Sequence, residues 1–186
     1  MSSLTIHDKT AIDLGSSPWT LKEKLFLLLW AMTWKLLCSW TPKPLFLWRL
    51  FWFRIFGGVA NGKPFIHQSA KVTIPWKLTL HDKSCLGDRV VIYSLDQIEI
   101  GEATIVAQEA YLCTGTHDLT HPHRPLLTGK ISIGKMAFIG ARAFVMPGIT
   151  IGDHAVVGAC SVVTKNVNRD SVVAGNPAKI LKNAEM

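Results

Sequence analysis

Ile133, Ile139, Val145, Ile151, Val157 and Val163 stand six residues apart. That period fits neither the turn of a helix nor the alternation of a flat strand. A short fixed repeat marks a solenoid, in which each hexapeptide forms one face of a triangular coil and three make a turn of about 18 residues. The aliphatic residue points inward. Four positions later come Ala137, Ala143, Ile149, Ala155, Ser161 and Val167, mostly small, as a tight corner requires. The comb continues upstream in two further phases. One is Ile100, Val106 and Leu112, followed by Thr104, Ala110 and Thr116; the other is Leu80, Leu86, Ile92 and Ile98, with Ser84 and Val90 behind the first two. Ile66 and Val72 begin the series. The phase slips by two between Leu78 and Leu80 and again between Ile98 and Ile100, which predicts bulges or short extrusions at corners. A β-sandwich would show period-2 strands without such a comb. The predicted fold is therefore all-β, a parallel β-helix over residues 63–168.

Ahead of the comb the pattern changes. Leu25–Trp34 is apolar until Lys35 interrupts it, and Leu45–Trp48 and Leu50–Phe53 are apolar runs broken by Arg49 and Arg54. Thr41-Pro42-Lys43-Pro44 divides residues 21–56 into two helical pieces. Neither reaches the ~20 uncharged residues that cross a bilayer. Trp and Phe interspersed with Lys and Arg suit a helix lying in a membrane interface. A hairpin packed on the solenoid or on sister subunits would have the same composition, so both readings stand. Residues 1–20 are polar, read as loosely ordered, and lack the apolar region of a secretory signal. Residues 1–62 thus form an N-terminal unit. Residues 169–186 form a tail in which Gly175-Asn176-Pro177 turns the chain and Ala178–Asn183 reads as a helical turn.

At 186 residues the chain suits one domain with an appendage, and 48% apolar residues suffice for a full core. The net charge of +7 is uneven: residues 1–64 hold eight Lys or Arg against three acids, and residues 65–186 hold twelve against ten. The basic excess therefore belongs to the N-terminal unit, which also carries six of the seven tryptophans. No nucleic-acid partner is expected. Cys38, Cys85, Cys113 and Cys160 form no C-x-x-C pair and no zinc spacing. They read as small buried hydrophobes in a reducing, cytoplasmic setting.

Between Leu112 and Ile131 the comb lapses into TGTHDLTHPHRPLLTGK, residues 114–130. A segment that leaves a rigid coil is a loop, and such loops often carry chemistry. His117 sits at its root, where an accessible imidazole held by a stiff frame can act as a general base; spacing alone equally allows a surface histidine. His121 and His123 raise a metal alternative, since γ-class carbonic anhydrases hold zinc with three histidines on the same kind of coil. The H-x-x-x-H-x-H spacing here does not put three imidazoles on successive coils, so no metal is expected. His67, His81 and His154 read as solvated residues on coil faces. Thr164, Lys165, Lys179 and Lys182 gather near one end of the coil and are able to hold phosphate, unless they are only a solvated basic tail.

YLCTGTHD at 111–118, MPGITIGDHAVVGACSVVTKNV at 146–167 and AGNPAK at 174–179 together resemble the hexapeptide-repeat O-acetyltransferases. The likeness is closest to the colanic acid biosynthesis acetyltransferases, with galactoside and maltose acetyltransferases as wider relatives. It extends through PLFLWRLFWFRIFG at 44–57 and IPW at 74–76, and so covers roughly residues 20–182. The resemblance implies a left-handed β-helix that assembles as a homotrimer, with acetyl-CoA between neighbouring coils. His117 would deprotonate a sugar hydroxyl, and backbone N–H groups would steady the oxyanion. Ala141 would offer its backbone to the cofactor, Ala159 would line the pantetheine slot, and Thr164 and Lys165 would contact the pantetheine end. Lys179 and Lys182 fall where relatives have arginines that reach the nucleotide phosphates, keeping the charge but losing the bidentate fork. Phe138 replaces a tryptophan. Asp96 falls near a substrate-binding carboxylate of galactoside acetyltransferase, and Asp118 of the THD motif is the second acceptor-side carboxylate. The implied activity is acetyl-CoA-dependent O-acetylation of a sugar or lipid-linked saccharide for a surface polysaccharide, at the cytoplasmic membrane face. N-acetylation of an amino-sugar nucleotide, a non-catalytic β-helix scaffold and a zinc-dependent hydratase are the competing readings.

Overall fold

A computed structural model describes residues 4–6 and 19–183 of the chain. Most of the segment expected to be loosely ordered, residues 1–20, lies outside the described residues. The comb becomes a parallel β-solenoid of about six turns with three faces. The first face stacks Val59–Ala60, Leu78–Leu80, Ile98–Ile100, Ile131–Ile133 and Thr150–Ile151. The second stacks Phe65–Ile66, Cys85–Leu86, Ile105–Val106, Phe138–Ile139, Val156–Val157 and Ser171–Ala174. The third stacks Lys71–Val72, Val91–Tyr93, Tyr111–Cys113, Phe144–Val145 and Val162–Val163.

The register follows the aliphatic comb. Leu80 lies between Ala60 and Ile100, Ile100 pairs with Ile133, and Ile133 pairs with Ile151. Apart from the half-buried Ala60, these side chains and the small residues four positions on, from Ala137 to Val167, are buried. The two phase slips fall at the corner joining the third face to the first. There the early coils carry two extra residues, taken up by a tight turn at Pro75–Lys77 in one coil and by residues 94–97 in the next. Leu78 and Leu80, and likewise Ile98 and Ile100, both point inward because their strands are three residues long.

The other two corners repeat an unusual backbone. Lys83, Ala103, Met136, His154 and Asp170 in one column, and Arg89, Glu109, Arg142 and Cys160 in the other, all have φ between 52° and 60°. A side chain in this left-handed region costs about 1 kcal/mol. Each column answers with hydrogen bonds between coils: Met136 N–H donates to Glu102 O (2.7 Å), His154 N–H to Lys135 O (2.9 Å) and Cys160 N–H to Ala141 O (2.8 Å). Close stacking also sets the glycines. A Cβ on Gly140 would lie 2.6 Å from the Ala159 nitrogen, where only backbone could give way.

Two helices, α1 (Leu21–Thr33) and α2 (Phe46–Ile55), cap the first coil. Helix α1 starts at a capping box in which Thr20 and Glu23 satisfy each other's backbone N–H. It runs on through a wider turn at Trp34–Cys38 before the proline break. Trp30, Leu50, Phe53 and Phe56 join the solenoid core, and the Trp30 indole donates to Val72 O (2.7 Å). Arg49 is fully buried. It donates to Ile66 O (2.7 Å), Thr41 Oγ1 (2.8 Å), Pro42 O (3.0 Å) and Lys43 O (3.2 Å), and lies over the Phe65 ring. Burial pulls its pKa down, opposed by nearby Cys38. A residue that interrupts the apolar pattern is thus the pin between cap and coil.

Three sequence readings change. Residues 179–183 are a strand, Lys179–Asn183, antiparallel to Ser171–Ala174, because the Gly175–Pro177 turn folds the tail back onto the second face. Cys160 is exposed, since its left-handed corner turns the side chain outward. His67, His81 and His154 are half-buried and each approaches a carboxylate, at Asp88, Glu99 and Asp170.

Candidate active site

The lapse in the comb is an ordered β-hairpin. Gly115–His117 pairs antiparallel with Leu126–Thr128, and His117 stands opposite Leu126. Thr5–Ile6 adds a third strand along Leu126–Thr128. The root of the hairpin is fixed by Thr114, which is fully buried. Its hydroxyl donates to Tyr93 O (2.8 Å) and accepts from Asp96 N–H (2.9 Å), while its carbonyl accepts from Gly129 N–H (2.9 Å).

At the hairpin's end the His117 ring is exposed, and its Nδ1 lies 2.8 Å from Arg124 O. A carbonyl only accepts, so Nδ1 carries the hydrogen and Nε2 presents a lone pair. Arg124 takes a left-handed φ of 44°, which aims that carbonyl. No sequence motif marks a backbone acceptor, so Arg124 and Thr114 were not among the expected site residues. Asp118 follows at once. Its Oδ1 accepts from the Thr120 hydroxyl (2.6 Å) and N–H (2.9 Å), and these bonds, the hydroxyl foremost, hold its pKa below the usual carboxylate range. Asp118 thereby shapes the turn beyond His117. Asp96 is tied to the hairpin root through its own N–H and accepts from Gln97 N–H at Oδ1 (2.7 Å).

The remaining candidates lie on two corners. Thr164 and Lys165 follow Val162–Val163, on the same corner as the hairpin and two coils further along. Ala141 and Ala159 occupy the corner between the second and third faces, one coil apart. The tail turn joins that column: Gly175 N–H donates to Ser161 Oγ (3.1 Å) and Ala178 N–H to Val162 O (2.8 Å). Lys179 follows it, exposed; Lys182 pairs through its backbone with Val172, and its side chain is outside the described residues. One protomer therefore places His117 and Asp118 on the hairpin with Asp96 at its root, and separately Ala141, Ala159 and the turn before Lys179. A face of the prism, roughly 15 Å of extended chain, divides the two groups. Among the described residues no cluster of three His, Cys, Asp or Glu is placed to hold a metal. His121 and His123 lie near each other at the hairpin tip, their rings tilted by 44°.

Comparison with known proteins agrees with this architecture. The family described as bacterial transferase hexapeptide (six repeats) matches residues 130–165. WcaF of Escherichia coli (strain K12), named as a colanic acid biosynthesis acetyltransferase, is 40% identical over 154 residues, covering 83% of this chain and 85% of the relative. The chain belongs to the hexapeptide-repeat acetyltransferase family. The galactoside O-acetyltransferase of the same strain is 33% identical over 88 residues, 46% of this chain and 43% of that one. In three dimensions the hexapeptide-repeat acetyltransferase VCA0836 of Vibrio cholerae, solved in complex with acetyl-CoA, superposes with a TM-score of 0.79 at 22% identity, over 91% of this chain and 93% of its own. That likeness is one of fold.

Proposed function

We propose that this acetyltransferase moves an acetyl group from acetyl-CoA to a hydroxyl of a saccharide during surface polysaccharide biosynthesis, with His117 as the general base. One observation carries the reading. The Nδ1–H···O bond to Arg124 fixes the ring so that Nε2, on an exposed hairpin above a rigid coil, is ready to accept a proton. Nε2 takes the hydroxyl proton as the oxygen attacks the thioester carbonyl. The tetrahedral intermediate collapses with loss of the CoA thiolate, which recovers the proton. No covalent enzyme intermediate is required; positioning and proton transfer supply the rate.

The separation of the two residue groups supports a homotrimer. In such a ring the hairpin of one protomer faces the Ala141 and Ala159 corner of its neighbour. Acetyl-CoA lies in that cleft, with Thr164 and Lys165 at the pantetheine end and Lys179 and Lys182 toward the nucleotide phosphates. Asp96 and Asp118 border the acceptor, a sugar or lipid-linked saccharide in the cytoplasm. The complexes of VCA0836 with acetyl-CoA and of a galactoside acetyltransferase with coenzyme A support the choice of donor.

Mass spectrometry of candidate saccharides after incubation with acetyl-CoA tests the proposal. A base-labile acetyl ester is expected. A base-stable acetyl amide, formed on amino sugars alone, would move the assignment to N-acetylation. Absence of any product, with no acetyl-CoA binding by calorimetry, would leave the scaffold reading.

A further inference from the structure

We propose that the outer face of the helical cap docks on an anionic lipid bilayer. Closing a solenoid calls for a cap that is apolar inside and polar outside. The inner side is already provided by Trp30, Leu50, Phe53 and Phe56. Yet Leu21, Leu25, Leu28, Leu29, Met32 and Leu36, spaced as one helical stripe, are all exposed, Leu21 by 83%. On α2, Leu47, Trp48, Phe51 and Ile55 repeat the arrangement. Patches this contiguous on a soluble surface mark an interaction site.

Charge selects the occupant. Lys22, Lys24, Lys35, Lys43 and Arg54 are exposed around these stripes, and the one acid between residues 19 and 58 is Glu23, engaged with Thr20. A second copy of the same face would bring like charges together, whereas anionic headgroups complement both the cations and the apolar stripe. Trp40 and Trp48 turn their indole N–H groups to Leu36 O and Leu37 O, 2.8 and 2.9 Å away. That satisfies their polar atoms, so the rings can enter the apolar edge of the interface without leaving a donor unpaired. Among the described residues no helix is long and apolar enough to cross a membrane, so the cap lies on the surface. The inference does not depend on the acetyl-transfer reading.

The test is flotation of the full-length protein with vesicles of phosphatidylcholine, with or without phosphatidylglycerol. The protein is expected to rise with the anionic vesicles and to be released by added salt. The triple variant Leu25→Ser, Leu29→Ser, Leu36→Ser should lose flotation while remaining folded with a cooperative melt lowered by only a few degrees, because these side chains are about half exposed or more. Replacing Lys22, Lys24 and Lys35 by Gln should lower partitioning about fivefold per lysine. Turnover on a water-soluble acceptor should be unchanged in both variants. Full-length protein that stays down with anionic vesicles would overturn the proposal. So would a serine variant whose lipid-free assembly shrinks, since the occupant would then be another copy of the chain.

Discussion

The hydrogen bond between His117 and Arg124 makes a sharp prediction about three substitutions. The Nδ1–H holds the carbonyl at 2.8 Å, and in the proposed mechanism Nε2 takes the proton. Asparagine keeps a donor near the Nδ1 position and has no base. Glutamine reaches further, toward Nε2, and has no base either; alanine removes both groups. If proton transfer is the function, His117→Asn, His117→Gln and His117→Ala all lose about 10²- to 10⁴-fold in kcat, equivalent to about 2.7–5.5 kcal/mol of barrier. The KM for acetyl-CoA should hardly move, because in the proposed mechanism the ring acts on the acceptor hydroxyl and not on the donor's pantetheine or phosphates. Folding should be unaffected, since the ring is exposed and makes one hydrogen bond. Steady-state kinetics of thiol release from acetyl-CoA, run beside thermal melts, gives all three quantities. Near-normal turnover in the asparagine variant would refute the assignment, for it would show that holding the loop, not accepting a proton, is what His117 contributes.

Two predictions concern the frame. Arg49→Met leaves the acceptors at Ile66, Thr41, Pro42 and Lys43 without their donor, and should cost about 3–5 kcal/mol, seen as a lower urea midpoint at unchanged slope; a loss under about 1 kcal/mol would contradict the pinning role. Met136 sits at φ 52° with its side chain in solvent, so Met136→Asn should relieve left-handed strain. A gain of about 0.5–1 kcal/mol is expected, raising Tm by about 2 °C, and an unchanged or lower Tm would count against the strain.

The solenoid was legible because its inward positions obey a single rule. Each six-residue step buries one aliphatic side chain, so even the two slips located real insertions, at Pro75–Lys77 and at residues 94–97. The left-handed corners were not legible. Ala103, Glu109, Met136 and Cys160 share no side-chain chemistry, and what suits them is the carbonyl of the coil before. The role of Arg49 was not legible for a related reason: a charge usually marks a solvated face, but here backbone carbonyls stand in for water. At the candidate site, position at the root of the loop made His117 a candidate among three loop histidines, and the THD motif of the resemblance singled it out. Its partner did not stand out, because a backbone carbonyl leaves no trace in residue identity. The tail strand was missed since five residues, four of them paired, carry too little periodicity to separate strand from helix.

The central claim is that the base and the Ala141–Ala159 side of the donor seat come from different edges of the prism, hence from two protomers. Mixed assemblies of His117→Ala with Ala159→Trp test it directly, the tryptophan filling the proposed pantetheine slot. Each parent should be inactive, and random mixing around a three-membered ring should restore about a quarter of wild-type turnover. Mixtures that assemble yet stay as inactive as their parents would show that no such shared site exists.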